Sequence, residues 1–234
     1  DLHKEYRRQR QMCIRDRVGL PVDKDGRLYN VAAVLYRGRI LGMIPKKNIP
    51  MYAEFYEGRH FTPGEETVTE YRLGKQVIPF GSNLLFRCEE LPELILGCEL
   101  CEDLWVAEPP STSHALMGAT VIANLSASNE TVSKDDYRTL LIKASSARLL
   151  CGYIYTSAGE GESTQDLVFG GHDLIAENGT LLVQSARFTT GILYTDLDVL
   201  KISSERRRMG TFGKRPMKPY LTVPFSCLLY TSDA

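Results

Sequence analysis

The stretch Leu94-Ile95-Leu96-Gly97-Cys98-Glu99-Leu100 runs mainly apolar and then stops abruptly at Cys101-Glu102-Asp103-Leu104-Trp105. A short apolar run of this kind reads as a strand buried inside a sheet. A cysteine followed at once by two acids is how such a strand looks when it delivers a nucleophile to the edge of the sheet. Held there near a cation, the thiol can be a thiolate at neutral pH. The competing reading of these residues alone is a core strand with two inert cysteines.

The rest of the chain supplies a layered setting for that strand. Residues 28–36 are β-branched and apolar, Arg37-Gly38 is a turn, and residues 39–44 return as a second strand ended by Pro45. Residues 65–77 read as a loop or hairpin and residues 83–88 as a short strand. Pro110 or Ser111 opens a short helix to Met117, since proline is tolerated in a first turn. Residues 120–125 form another buried strand, ending in the small polar cluster Ser126-Ala127-Ser128-Asn129-Glu130. Ser133-Lys134-Asp135-Asp136 resembles a capping box. The helix it starts has apolar residues at Tyr137, Leu140, Leu141, Ala144, Ala147 and Leu150, and Gly152 closes it. Residues 153–157 are a strand, Asn178-Gly179 turns a hairpin between residues 174–176 and 181–184, and residues 191–197 read as a last strand. Residues 204–208 are a charged, solvated helix face. Strands alternating with helices and hairpins predict an α/β (α+β layered) fold on a mixed sheet.

The two ends read differently. Residues 7–17 are basic and aperiodic. Back-translated, Met12–Asp16 and Cys227–Thr231 are compatible with one DNA element in opposite orientations, and that element resembles a transposase-type sequencing adapter. Residues 1–17 and 227–234 are therefore expected to lie outside the fold, which leaves residues 18–226 as one partial domain.

Composition narrows the function classes. A net charge of −1 gives no electrostatic case for nucleic acid or membrane. There is no run apolar enough to span a bilayer, and six cysteines in 234 residues are not a disulfide scaffold. A cytoplasmic location is expected. Cys98 and Cys101 form a C-x-x-C pair, but no second pair completes a zinc site, and Cys98 sits inside a strand rather than opening a helix. His60 has no partner at metal-ligand spacing, so no metal is expected.

Taken together, the motifs are more specific. Pro45-Lys46-Lys47-Asn48-Ile49-Pro50, the run from Glu54 to Phe61-Thr62-Pro63-Gly64, Cys101-Glu102-Asp103 and Asn124-Leu125-Ser126 resemble the nitrilase (carbon–nitrogen hydrolase) superfamily. IPKKNIPMYAEFYEGRHF, GCELCEDLWVAEPPS and NLSASNETVSKDDYR are similar to the glutaminase domains of glutamine-dependent NAD+ synthetases. That resemblance implies a nitrilase-type α-β-β-α sandwich, truncated at its N-terminus, and hydrolysis of the glutamine side-chain amide through a Cys101 thioester. Lys46 would stabilise the oxyanion. Tyr52, Glu54, Phe55, Glu102, Trp105, Ser128 and Lys134 would bind L-glutamine or line its pocket, Glu54 either supporting the lysine or positioning substrate. The family's general-base glutamate is expected upstream of the residues present, and the fragment by itself is expected to be inactive. ATP and Mg2+ would belong to a downstream synthetase domain, with no cofactor in this segment, and a homo-oligomer is expected. The alternatives are a stand-alone amidase acting on another small amide and an inactive interaction module.

Overall fold

The computed structural model describes residues 15–162, 166–213 and 219–226. Two sheets organise them. The first contains β1 (Arg15–Lys24), β2 (Arg27–Tyr36), β3 (Arg39–Pro45), β4 (Thr69–Leu73) and β5 (Gln76–Phe80), in the order β1-β2-β3-β5-β4. The second contains β6 (Leu84–Cys88), β7 (Ile95–Leu100), β8 (Val121–Ser126), β9 (Gly152–Ser157), β10 (Leu174–Glu177), β11 (Thr180–Gln184) and β12 (Leu221–Phe225), in the order β11-β10-β9-β8-β7-β6-β12. The helices are α1 (Pro110–Leu116), α2 (Lys134–Leu149) and α3 (Val199–Arg208).

Local sequence explains the connections. The hairpins β1–β2, β2–β3 and β10–β11 turn on Asp25-Gly26, Arg37-Gly38 and Asn178-Gly179, and both residues of each pair have positive φ. Such left-handed pairs match the right-handed twist of the flanking strands. Strands β7, β8 and β9 are parallel, Glu99 lying beside Asn124 and Asn124 beside Tyr155. Parallel neighbours need crossovers, and α1 and α2 supply them.

The two sheets pack face to face over Ala32, Val34, Ile44, Leu84, Phe86, Cys98 and Leu100. Close packing there leaves little room at Gly42, where an added Cβ would stand 3.0 Å from the Phe86 ring. A second apolar cluster, including Leu104, Ile122, Ile142, Tyr153 and Leu174, lies on the helix side of the second sheet. A third, with Val31, Met43, Ile78 and Phe80, belongs to the first sheet alone. Cys98 is therefore a core residue, 1% exposed, and the C-x-x-C spacing brings no second thiol to its side of the strand.

Several expectations need correction. Arg15–Arg17, read as lying outside the fold, extend β1 by pairing with Tyr36, Leu35 and Val34; residues 1–14 and 227–234 lie outside the described residues. Residues 191–197 form no strand: Ile192 and Tyr194 are 87% and 88% exposed and have no ladder partner among the described residues. The expected capping box does not form, because Ser133 is itself left-handed at φ 62 and makes no side-chain cap. Leu150, at φ 44, ends α2, while Gly152 already belongs to β9. The buried face of α2 is Arg138, Ile142, Ser145, Ser146 and Leu149, leaving Tyr137 and Leu140 exposed. Finally, Arg206 is not solvated with its neighbours. It donates to the carbonyls of Leu150, Ala115, Ala119 and Leu149, at the C-terminal ends of α2 and α1.

Candidate active site

Two strand exits build the site. At the end of β3, Lys46 follows Pro45 and is 2% exposed. Its backbone is held on both sides, its N–H donating to Asn30 O at 2.8 Å and its carbonyl accepting from Gly64 N at 2.7 Å. That second contact needs a glycine, since a Cβ on residue 64 would sit 2.7 Å from the Pro45 carbonyl oxygen. The Lys46 ammonium donates to Glu57 Oε2, and Asn30 Nδ2 donates to Glu57 Oε1 at 2.6 Å. A buried ammonium needs such a partner, because desolvation otherwise disfavours its charge.

At the end of β7, Cys101 opens a 3-10 turn, Cys101–Leu104, with φ 42. A left-handed backbone costs a non-glycine residue on the order of 1–3 kcal/mol, so the surrounding contacts must impose it. Asp103 supplies them. Its carboxylate, 2% exposed, accepts from Leu100 N at 3.0 Å and from Asn48 N and Nδ2, both at 2.8 Å. Burial pushes this carboxyl up, while those N–H donors and the nearby Lys46 charge pull it back. Asp103 thus ties the Lys46–Asn48 loop to the turn that carries Cys101.

Cys101 opens into a cavity of ≈ 440 Å³ also lined by Tyr52, Glu54, Phe55, Glu102, Trp105, Ser128, Asn129 and Lys134. Every residue assigned to the site from sequence lines this cavity except Lys46, which lies buried outside its wall. The Tyr52 hydroxyl donates to both Glu102 oxygens, at 2.9 and 3.0 Å, and burial together with that carboxylate pushes the phenol up to about 12. Left-handed Ala53, φ 48, turns the chain between Tyr52 and Glu54. The Lys134 ammonium lies 5.2 Å from the Trp105 ring centre and 5.8 Å from that of Phe55. Burial, and then the Arg138 charge, pull its pKa down.

Three functional features escaped the sequence reading. Glu57, not Glu54, holds Lys46; the lysine lies eleven residues away along an irregular loop, and no periodicity marks the pair. Asp103 and Asn48 lie 55 residues apart, so their bond is invisible until the sheets are assembled. Glu99, fully buried two residues before Cys101, accepts from Ser111 N at 2.8 Å and from the Tyr153 hydroxyl, and burial pushes it up to about 7. The only signal for Glu99 was a lone acid inside an apolar run. Among the described residues, no group of three or more His, Cys, Asp or Glu side chains is placed to hold a metal ion.

The arrangement can do the chemistry of acyl transfer: a thiol at a cavity wall, a fixed ammonium on a loop that Asp103 ties to the thiol's turn, and polar anchors around the opening. The profile of the carbon-nitrogen hydrolase family matches residues 10–207. The glutamine-dependent NAD(+) synthetase of Mycobacterium tuberculosis is 47% identical over 197 residues, covering 83% of this chain and 29% of that protein. The crystal structure of a glutamine-dependent NAD(+) synthetase from Cytophaga hutchinsonii superposes with a TM-score of 0.64 at 28% identity, covering 73% of this chain and 27% of that one. A carbon-nitrogen hydrolase from Helicobacter pylori shares the fold, with a TM-score of 0.66 at 19% identity over 91% of this chain and 73% of that one. The chain spans about three tenths of the length of the curated relatives it matches.

Proposed function

The chain belongs to the carbon-nitrogen hydrolase family, and from that premise we propose that it is the amide-hydrolysing part of a glutamine-dependent NAD+ synthetase. One observation carries the reading. Asp103 couples the buried Lys46–Glu57 pair to the turn that lifts Cys101 into a cavity ringed by Tyr52, Glu102, Ser128 and Lys134.

In this reading the Cys101 thiolate attacks the side-chain amide carbon of L-glutamine, forming a C–S bond and a tetrahedral oxyanion. The Lys46 ammonium, already oriented by Glu57 and its own backbone bonds, stabilises that negative charge. Collapse of the intermediate breaks the C–N bond, and the amine takes a proton to leave as ammonia. Water then cleaves the thioester and releases glutamate. Both Glu57 oxygens are engaged, by Asn30 and by Lys46, so Glu57 holds the lysine rather than taking the thiol proton. On the family resemblance the proton acceptor is a glutamate upstream of Lys46. The ammonia would feed an ATP- and Mg2+-dependent synthetase domain in the same protein, acting in the cytoplasm and as a homo-oligomer. No described helix is long and apolar enough to cross a membrane.

The test is covalent labelling of the full-length protein with a glutamine-shaped diazoketone, followed by peptide mass spectrometry. The expected result is one adduct, on Cys101, formed faster than with an uncharged haloacetamide of similar reactivity at equal concentration. An adduct on Cys88, Cys98 or Cys151, or none, would overturn the nucleophile assignment. Equal labelling by both reagents would instead favour an amidase with another substrate.

A further inference from the structure

Asn129 was assigned no role from sequence, yet it joins two charged groups of the cavity. It is 4% exposed, and its side-chain amide lies between Glu54 and Lys134. Nδ2 donates to Glu54 Oε1, and Oδ1 accepts from the Lys134 ammonium. The opposite orientation of the amide would set its NH2 against the ammonium and its oxygen against the carboxylate, so the partners fix it.

The main chain of Asn129 is anchored from beneath. It forms an antiparallel bridge with Phe169, and its carbonyl accepts from Arg138 at 3.5 Å. Arg138 is fully buried and pairs with Glu130 at 2.7 Å, while Glu130 N donates to Val168 O at 2.7 Å. The amide therefore stands on a fixed base and cannot follow either partner into the cavity.

A carboxylate and an ammonium on one small cavity would ordinarily close into a direct ion pair, which uses up both charges. We propose that Asn129 is a positioning residue for specificity. Its amide keeps Glu54 and Lys134 apart as separate anchors, so the cavity takes an amide whose far end is a free amino-acid head, with the ammonium on Glu54 and the carboxylate on Lys134. This rests on the reading of the cavity as the site of amide hydrolysis. It deepens that reading by naming the residue that selects a zwitterionic substrate over a simple amide.

The experiment needs no turnover. Cys101 alkylation by iodoacetamide is followed by mass spectrometry with and without competing amides, and protection is read as the ratio of rates within each variant. The competitors are L-glutamine, 4-aminobutanamide, which lacks the carboxylate, and glutaramic acid, which lacks the ammonium. In the unaltered chain glutamine should protect at concentrations at least tenfold lower than either analogue. Asn129→Ala should erase most of that tenfold advantage. The nearly isosteric Asn129→Asp, which takes the Lys134 charge for itself, should leave glutamine no better than 4-aminobutanamide. Thermal unfolding of both variants separates lost folding from lost selection. Glutamine keeping its full advantage in a folded Asn129 variant would overturn the inference and leave the glutaminase reading standing. Protection by L-asparagine but not L-glutamine, still dependent on Asn129, would overturn the glutamine reading and leave the inference standing. No protection by any amino-acid amide would overturn both.

Discussion

The exits of β3 and β7 are joined through Asp103 and built by opposite means. At β3, Lys46 is buried, backbone-bonded on both sides and paired with Glu57. At β7, Cys101 is half-buried, has a left-handed backbone and faces a cavity. The first exit pairs its charge and bonds both backbone groups of its lysine. The second stores strain and leaves its sulfur open. A group that stabilises charge works best when it is already oriented and dry, whereas a nucleophile must meet a substrate. Asp103 is where the two designs join, and substitutions on either side of it test the contrast.

The largest effect belongs to the open exit. On the proposed function, Cys101→Ala in the full-length protein should lower glutamine hydrolysis on the order of 10⁴-fold or more, as loss of a covalent nucleophile does, with little change in unfolding. Steady-state ammonia release measures it, and activity within tenfold of the parent would break the contrast. The dry exit should respond in stability instead. Glu57→Gln removes the partner of a buried ammonium and should cost about 3–5 kcal/mol in urea unfolding. A loss under 1 kcal/mol would mean that Lys46 finds another acceptor.

The strand behind Cys101 adds a pH dependence. Burial raises Glu99 from its ordinary 4.5 to about 7, so the folded state binds more protons than the unfolded one across that interval. Its contribution is fully present below pH 4.5 and is lost as pH rises to 7, about 3 kcal/mol at ~1.4 kcal/mol per unit. His114, pulled down to about 4 by burial, works in the opposite direction between pH 4 and 6.5. The difference between the parent and Glu99→Gln isolates the glutamate: their gap should shift by that amount across the window, and parallel curves would refute it. The smallest effect is expected at the junction. Asp103→Asn keeps the shape but weakens the acceptor for Leu100 N and Asn48 N, costing about 1.5–3 kcal/mol. A sharper outcome is a fall in both Cys101 alkylation and unfolding stability, since Asp103 serves both exits.

Much of this was legible in the sequence because it is local. Turn residues placed the β2–β3 and β10–β11 hairpins, though not β1–β2, and the apolar run ending at Cys101 marked β7. The motifs placed the cavity lining, since Tyr52, Glu54, Phe55, Glu102, Trp105, Ser128 and Lys134 do converge. What could not be read is pairwise and distant. The choice for Glu54 between supporting Lys46 and positioning substrate stayed open because Glu54 and Glu57 lie in one irregular acidic loop, where no period says which acid reaches the lysine. The α2 face was misjudged because Tyr137 and Leu140 lie on the outside, while the inward face joins Ile142 and Leu149 to Arg138, which burial tolerates only with Glu130 alongside. Residues 191–197 have strand composition, but a strand also needs an edge to pair with.

Arg206 closes the account of the fold in kinetic terms. Its bonds to Leu150, Leu149, Ala119 and Ala115 span 56 to 91 residues of chain. Until α3 docks, the last carbonyls of α1 and α2 keep water as their partner. Contacts of such sequence separation form late, because the loop entropy must be met before they can be made. During synthesis the turn at residue 101 would therefore leave the ribosome well before the helices flanking it are locked, and α3 would act as the latch on those helix ends, with β12 still to pair with β6.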